Sequence, residues 1–370
     1  MTLVDMDDAD DKAHPRAART LIGHESAAQT LQAAHASGRL PHGWLISGPR
    51  GIGKATLAYR FARYLLSDDQ PSPAPGLFAD APDQTGLEVD MSGPVSRQIA
   101  AGSHPDLLVI ERRFDPRRKR WREEIVVDDV REMGSFLALT PSMGGWRVVI
   151  VDAADEMNRN AANAILKLLE EPPSRTVMIL VSHFPGRLLP TIRSRCRHMA
   201  LNPLSDLQVR SLLATARPDL DAAEQAALVT LGNGSIGQAI TMADAGGVAV
   251  YQQMIDVLAD APNFDVSRLY KLADDWARKP RDGKMAVFDM ASTLLLDWLA
   301  QVIRAAAGGP PLRPIIEQET AIAARLLGHH SVDTWLDRHA GVSQLFRRGK
   351  AVNMDKKQMI LSAFFKMAEK

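Results

Sequence analysis

The feature that most restricts what this chain can fold into is a run of seven residues, Gly48-Pro49-Arg50-Gly51-Ile52-Gly53-Lys54, set between an apolar stretch and a helical one. Glycine, four residues, then Gly-Lys is the phosphate-loop spacing. Such a loop turns successive backbone N–H groups inward, and the helix behind it adds its positive end, so an anion is held with few side chains. Trp44-Leu45-Ile46-Ser47 reads as a short buried strand, and Leu57, Phe61, Tyr64 and Leu65 recur at helical spacing. Strand, glycine loop and helix in that order give the spacing its meaning.

The same alternation continues downstream. Leu107 to Glu111, Val148 to Val151, Val177 to Val181 and His198 to Leu201 read as buried strands. Val130 to Leu139 reads as a helix between two of them. Asn158 is placed to cap another, whose Ala161, Ile165, Leu168 and Leu169 share one face and which Pro172-Pro173 end. Strands that alternate with helices predict an α/β P-loop core, a parallel sheet with helices on both faces. After Leu201 the strand signals stop and the pattern becomes helical, with long amphipathic runs at Ala286 to Ala306 and Lys356 to Met367. The expected organisation is a disordered, charged tail over 1–18, the α/β domain over 19–201, a small helical lid domain over 202–246 and an all-α C-terminal domain over 247–370. Ser67 to Gly102, rich in Pro, Gly, Asp and Ser, reads as an insertion or long loop.

Bulk properties exclude several classes. The 44 basic and 44 acidic residues cancel, so any contact with a polyanion must come from a local patch. The single cysteine, Cys196, rules out an intramolecular disulfide and a cysteine zinc cluster. The acidic start from Met1 to Asp11 is unlike a secretory signal, and no apolar run approaches the ~20 residues that span a bilayer. A cytoplasmic protein with no membrane contact is expected.

Within the predicted nucleotide site, Gly48, Gly51 and Gly53 shape the cradle and Lys54 reaches toward phosphates. The next position usually supplies a hydroxyl to Mg²⁺; here it is Ala55, and Thr56 is rotated by ~100° around the helix. Asp152 ends the strand Val148 to Val151, where P-loop NTPases place a carboxylate that helps hold Mg²⁺. ATPases of the AAA+ type follow it with a glutamate that polarises water; this chain has Ala153. Losing a positioned general base removes typically ~10²–10⁴-fold in rate. Asp155 and Glu156 lie past the strand end and are expected to face solvent or cap the next helix. Two missing parts at one site point to weak intrinsic turnover and leave open whether the loop still binds ATP.

Several ordered segments resemble the clamp-loader branch of AAA+ proteins. They are Leu21-Ile22-Gly23-His24 with Leu40-Pro41-His42-Gly43-Trp44, then His104-Pro105-Asp106, Asp129-Val130-Arg131, Asn163 to Pro173 with its Glu-Glu-Pro-Pro end, and Ser194-Arg195-Cys196. Asn353, Asp355 and Gln358 echo the last helices of that family. The resemblance implies that Arg195 is an arginine finger acting in trans on ATP held by a neighbouring subunit, and that the C-terminal helices form an oligomerisation collar. It also implies partners: other subunits in a hetero-oligomeric ring, and through them a sliding clamp and primed DNA. Gly234-Ser235-Ile236-Gly237 lacks the sensor arginine of the family's ATPase subunits, and Ser182-His183 stands where those subunits tend to carry Thr-Thr. No cysteine lies in Pro82 to Ser103, so the zinc module common in the family is not expected, nor is any required cofactor.

A basic cluster over 112–122, turned at Asp115-Pro116, carries Trp121 and invites a local DNA contact. Asp115, Glu123 and Glu124 offset its charge, which favours a solvated hairpin or a partner contact; Ile125 to Val127 is expected to be the return strand. His42 and His104 have no ligand spacing and read as structural. The leading reading is a non-motor clamp-loader subunit. Its rivals are the ATP-hydrolysing motor subunit, opposed by Ala55, Ala153 and Gly237, and a standalone DNA-binding adaptor. A metabolic P-loop kinase would leave Glu-Glu-Pro-Pro and Ser-Arg-Cys without a purpose.

Overall fold

A computed structural model of the chain describes residues 14–68, 87–115, 120–143, 145–278, 286–328 and 330–368. The chain forms two compact units, one to Gln208 and one from Val209. In the first, the elements run α1 (Glu25–Ala36), β1 (Gly43–Ser47), α2 (Lys54–Asp68), α3 (Pro94–Ala100), β2 (Leu107–Glu111), β3 (Phe114–Asp115), β4 (Arg120–Trp121), α4 (Val127–Ala138), β5 (Arg147–Asp152), α5 (Arg159–Glu170), β6 (Thr176–Ser182), α6 (Pro190–Arg195) and β7 (Arg197–Ala200).

β1, β2, β5, β6 and β7 make one parallel sheet in the order β2-β5-β6-β1-β7. The phosphate-loop strand therefore lies inside the sheet, between β6 and β7. Val148 to Val151 and Val177 to Val181 are at most 1 % exposed, because strands covered on both faces are apolar at every position. Two clusters of buried side chains cover the two faces. One gathers α1, α2 and α3 around Trp44, Phe61 and Ile179; the other gathers α4, α5 and α6 around Leu45, Ile165 and Leu180. This is the α/β core with helices on both faces that the alternation of elements predicts.

Four expectations are corrected. His14 to Ala18 belongs to the structure and not to a tail: Pro15–Ala17 form a 3-10 turn, Arg63 donates to the Arg16 carbonyl, and His14 packs edge-on against Tyr59 at 5.9 Å. The tail expectation otherwise lies outside the described residues. Within the expected loop over 67–102, α3 forms, with Pro94 at its first position and Val95 and Ile99 buried; a seven-residue helix has too few apolar positions to show a period in sequence. The hairpin returns through β4, with Phe114 opposite Trp121, while Ile125 makes only a bridge to Met157 and Val127 opens α4. The tip, 116–119, lies outside the described residues. Asp155 and Glu156 are neither free nor caps: Asp155 Oδ1 accepts the His183 N–H at 2.7 Å and Glu156 pairs with Arg112 at 2.6 Å.

The unit from Val209 is helical. It begins within α7 (Asp206–Ala216) and continues through α8 (Ala222–Gly232), α9 (Ile236–Asp244), α10 (Gly247–Leu258), α11 (Val266–Ala277), α12 (Val287–Ala306), α13 (Glu319–Leu327), α14 (Val332–Ala351) and α15 (Lys356–Ala368). The lid domain expected over 202–246, apart from 202–208, and the C-terminal domain expected over 247–370 both fall in this unit. The chain turns tightly from α9 into α10 at Gly247, where an added Cβ would sit 2.8 Å from that of Met242. Asn353 takes the left-handed conformation with φ 52°, and Asp355 accepts the Gln358 N–H at 2.9 Å, so these residues form the turn and cap that open α15. Among the described residues no helix is long and apolar enough to cross a membrane.

Candidate functional site

The glycine loop leaves β1 where the backbone must pass close to another strand end. Gly48 has φ 148°, and a Cβ there would lie 2.5 Å from the Leu201 carbonyl oxygen, so only glycine fits. His24 secures the far side of the loop, its Nε2 lying 2.6 Å from the Ile52 carbonyl oxygen. The N-terminal signature thus holds the loop. The Lys54 ammonium is buried and donates to the Gly48 and Pro49 carbonyls at 2.8 and 2.5 Å. Burial pulls it down to about 8, against the opposing pull of Asp152 and Asp155.

Asp152 lies in register with Glu111 on β2. Burial pushes its carboxyl up to about 6, and the Glu111 charge adds to this while Lys54 opposes it. His183 is pulled down to about 4 by burial and then by Lys54, so its ring is neutral at pH 7. Its Nδ1 and the neighbouring Ser182 Oγ are buried without a hydrogen-bond partner.

The loop conformation, the helix start and these two orphaned polar atoms fit a phosphate-bearing nucleotide. Gly48, Gly51, Gly53 and Lys54 would hold its phosphates. The hydrolytic half does not fit: Ala55 has no side-chain oxygen to offer Mg²⁺ beside Asp152, and Ala153, 3 % exposed, has no carboxylate to polarise water. The site can hold an anion and lacks the groups that activate water.

Asp152 supplies a test of these electrostatics. Its proton is held more tightly in the folded chain than at the ordinary value of 3.8, so the contribution of Asp152 to folding stability is greatest below that value and declines as pH rises toward 6. Asp152→Asn is expected to flatten this decline and to gain on the parent chain between pH 4 and pH 7, read by thermal unfolding. A difference that is constant with pH would contradict the shift.

The most specific sequence segments meet on the other side of β1. Asn158 caps α5 by accepting the Ala161 N–H at 2.9 Å. At the end of α5, His42 Nε2 lies 2.9 Å from the Leu169 carbonyl oxygen. A Cβ on Gly43 would be 3.2 Å from both the Arg195 carbonyl oxygen and Leu169, and 3.4 Å from Cys196 Sγ. Burial pushes the Cys196 thiol up to about 11, so it serves as packing beneath the arginine. Arg195 closes α6 with its side chain 35 % exposed, pairing with Glu170 at 2.6 Å and donating to the Thr191 carbonyl at 3.0 Å. Arg195 is thus held by α5 and α6, through Glu170 and Thr191, and makes no hydrogen bond or ion pair with Lys54 or Asp152.

Two residue sets escape sequence reasoning. The Asp155–His183 link joins the ends of β5 and β6, and nothing in their spacing signals it. Asp106 of His-Pro-Asp, 1 % exposed, accepts the Ser142 and Met143 N–H groups at 2.8 and 3.1 Å, so that motif is architectural. At the hairpin, Arg112 pairs with Glu156, Arg113 with Asp129 and Glu132, and Arg122 with Asp129 at 3.8 Å.

The DNA polymerase III, delta subunit family matches residues 23–205. A DNA polymerase III subunit delta' from Pseudomonas aeruginosa is 34% identical over 265 residues, 71% of this chain and 72% of that protein. A DNA polymerase III subunit gamma/tau from Mycobacterium bovis is 31% identical over 208 residues, 55% of this chain but only 32% of that protein. The solved structure of a DNA polymerase III gamma subunit-related protein from Thermotoga maritima covers 91% of this chain at 17% identity, with a TM-score of 0.37. With the glycine loop, Glu-Glu-Pro-Pro and Ser-Arg-Cys in their places, and a delta' protein matched over most of its length, the chain belongs to the DNA polymerase III delta' subunit family.

Proposed function

We propose that the chain is a non-motor subunit of the DNA polymerase III clamp loader, working in the cytoplasm within a hetero-oligomeric ring. It lends Arg195 to ATP bound by the neighbouring subunit while a sliding clamp is loaded onto primed DNA, and its C-terminal helices serve as the collar. The observation that carries this reading is a division within one unit. The site lacks both hydrolytic side chains, at Ala55 behind the phosphate loop and at Ala153 after β5, while an exposed arginine stands at the end of α6. A guanidinium fork matches phosphate oxygens and neutralises charge that develops in phosphoryl transfer. Its present partner, Glu170, is itself 49 % exposed, and exposed pairs contribute only ~0–1 kcal/mol, so releasing Arg195 is inexpensive. Any nucleotide at Gly48 to Lys54 is structural, and no zinc or other cofactor is required.

The purified chain is expected to show negligible ATPase with or without primed DNA. Lys54→Ala is expected to leave ATPase of the assembled loader within about twofold of the parent, since the chain's own loop does not turn over. Robust, DNA-stimulated hydrolysis by the chain alone would favour the motor-subunit reading and sink this one. Among the described residues of the hairpin, Arg112, Arg113 and Arg122 are ion-paired with carboxylates of the same unit, which does not favour the DNA-adaptor reading.

A further inference from the structure

Three arginines converge on a cavity far from the phosphate loop. The 3-10 turn Pro15–Ala17, α2 and α3 pack against one another and border an open-sided space of about 290 Å³, lined by Ala17, Arg19, Arg63, Met91, Ser96 and Arg97 with Ala100. Arg63 lies nine residues along α2 from Lys54, about 14 Å at the helical rise. The cavity is thus separate from the nucleotide cradle.

Arg63 is 1 % exposed. Its Nη2 donates to the Arg16 carbonyl, but its Nε is buried with no hydrogen-bond partner. Among the described residues no carboxylate is paired with Arg19, Arg63 or Arg97. Asp90 feels the charge of Arg97, yet its Oδ1 is occupied by the Ser92 N–H at 2.8 Å and the Ser92 hydroxyl at 2.6 Å. Arg60 adds a further positive charge beside Arg63; its Nε is taken by the Leu87 carbonyl at 2.8 Å and its Nη1 by that of Arg19 at 3.0 Å. A buried guanidinium is normally paired, since taking it from water uncompensated is costly. Here, among the described residues, one is buried beside two more with no carboxylate paired to any of the three, although the charges of Glu88 and Asp90 act on Arg60 and Arg97.

We propose that this cavity binds a small polyphosphate anion, with Arg63 at its floor and Arg19 and Arg97 at its rim. A single carboxylate would leave two positive charges uncompensated, whereas a diphosphate matches the charge and offers oxygens to three guanidinium forks. The volume lies at the lower edge of small-ligand sites, which suits a diphosphate group better than a macromolecular segment. Arg19 and Arg97 are exposed and reach the ligand without bearing on the core, while Arg63 supplies a buried positive charge beneath them.

The test uses the full chain carrying Lys54→Ala, so that pyrophosphate binding at the phosphate loop is removed. Titration calorimetry with inorganic pyrophosphate is expected to show one saturable site. Adding Arg19→Gln with Arg97→Gln is expected to weaken it by about tenfold or more, since charge-assisted hydrogen bonds are lost, with unchanged circular dichroism and melting temperature. Absence of binding in the Lys54→Ala chain, or binding indifferent to the two arginine substitutions, overturns the proposal. A second arm measures fluorescent primed DNA against the same variants. If DNA binding falls with the arginine substitutions while pyrophosphate does not bind, the arginines belong to a nucleic-acid surface and the small-anion site is wrong.

Discussion

Arg195→Ala in an otherwise complete clamp loader is expected to lower hydrolysis at the nucleotide site it serves by about 10³-fold, the lower end of the effect that such fingers have in GTPases. The geometry argues for a large functional effect with a small structural one. Arg195 is held by Glu170 at 2.6 Å and by the Thr191 carbonyl at 3.0 Å, both at the surface. Removing an exposed pair shifts folding stability by under about 1 kcal/mol. The backbone that carries the residue does not depend on its side chain: Cys196 and Gly43 pack beneath it and Ile192 anchors α6 in the core. The measurement is single-turnover hydrolysis by the assembled complex, alongside thermal unfolding of the variant subunit alone. Unchanged hydrolysis in a complex that still assembles would remove the finger from the mechanism. Arg195→Lys separates charge from shape, and a loss nearly as large as that of alanine is expected because an ammonium cannot make the planar fork.

Glu319→Ala is expected to destabilise the helical unit by about 3–5 kcal/mol, a large effect on folding for a single polar substitution. Glu319 is fully buried and accepts four hydrogen bonds. Oε1 takes the Ile315 and Ile316 N–H groups, each at 2.8 Å, and Oε2 takes the Tyr251 hydroxyl at 2.7 Å and the Trp298 indole N–H at 3.3 Å. One carboxylate thus ties α10, α12 and the start of α13 together. Burial, and then the Glu319 charge, push the Tyr251 phenol far above its ordinary range, so it remains a donor throughout the accessible pH range. Alanine would leave two buried donors, on Tyr251 and Trp298, and two partly buried backbone N–H groups without an acceptor, the buried losses being comparable to the desolvation of each group. Glu319→Gln keeps an acceptor for the two backbone groups and is expected to cost clearly less. Denaturant unfolding followed through the tryptophans separates the two; equal and small losses would show that water replaces the carboxylate.

Sequence and structure agree where a local rule suffices. The strand, glycine loop and helix around Lys54 are legible because the phosphate loop is one contiguous segment, and its glycines are required by the Leu201 backbone that passes beside Gly48. The cap at Asn158 and the stop at Pro172 are equally local. α3 and the return strand β4 are illegible because seven and two residues are too short to display a period. In the basic cluster the sequence shows the charges along the chain, and only the structure shows that Arg112, Arg113 and Arg122, at its described base, find carboxylates on other elements.

Residue identity alone determines which side chains are available: Ala55 and Ala153 in place of an oxygen and a carboxylate, and Arg195 within Ser-Arg-Cys for the proposed finger. No folding can restore a missing ligand. The surroundings of these residues are set by packing. The folded chain places Lys54 against its own loop carbonyls, joins Asp155 to His183 across two strand ends, and seats Glu319 under donors from several elements. It also brings Arg19, Arg63 and Arg97, separated by dozens of residues, to one cavity. The reason is physical: electrostatic and hydrogen-bond energies depend on distance and burial, and both are properties of the packed chain, unseen in the order of its residues.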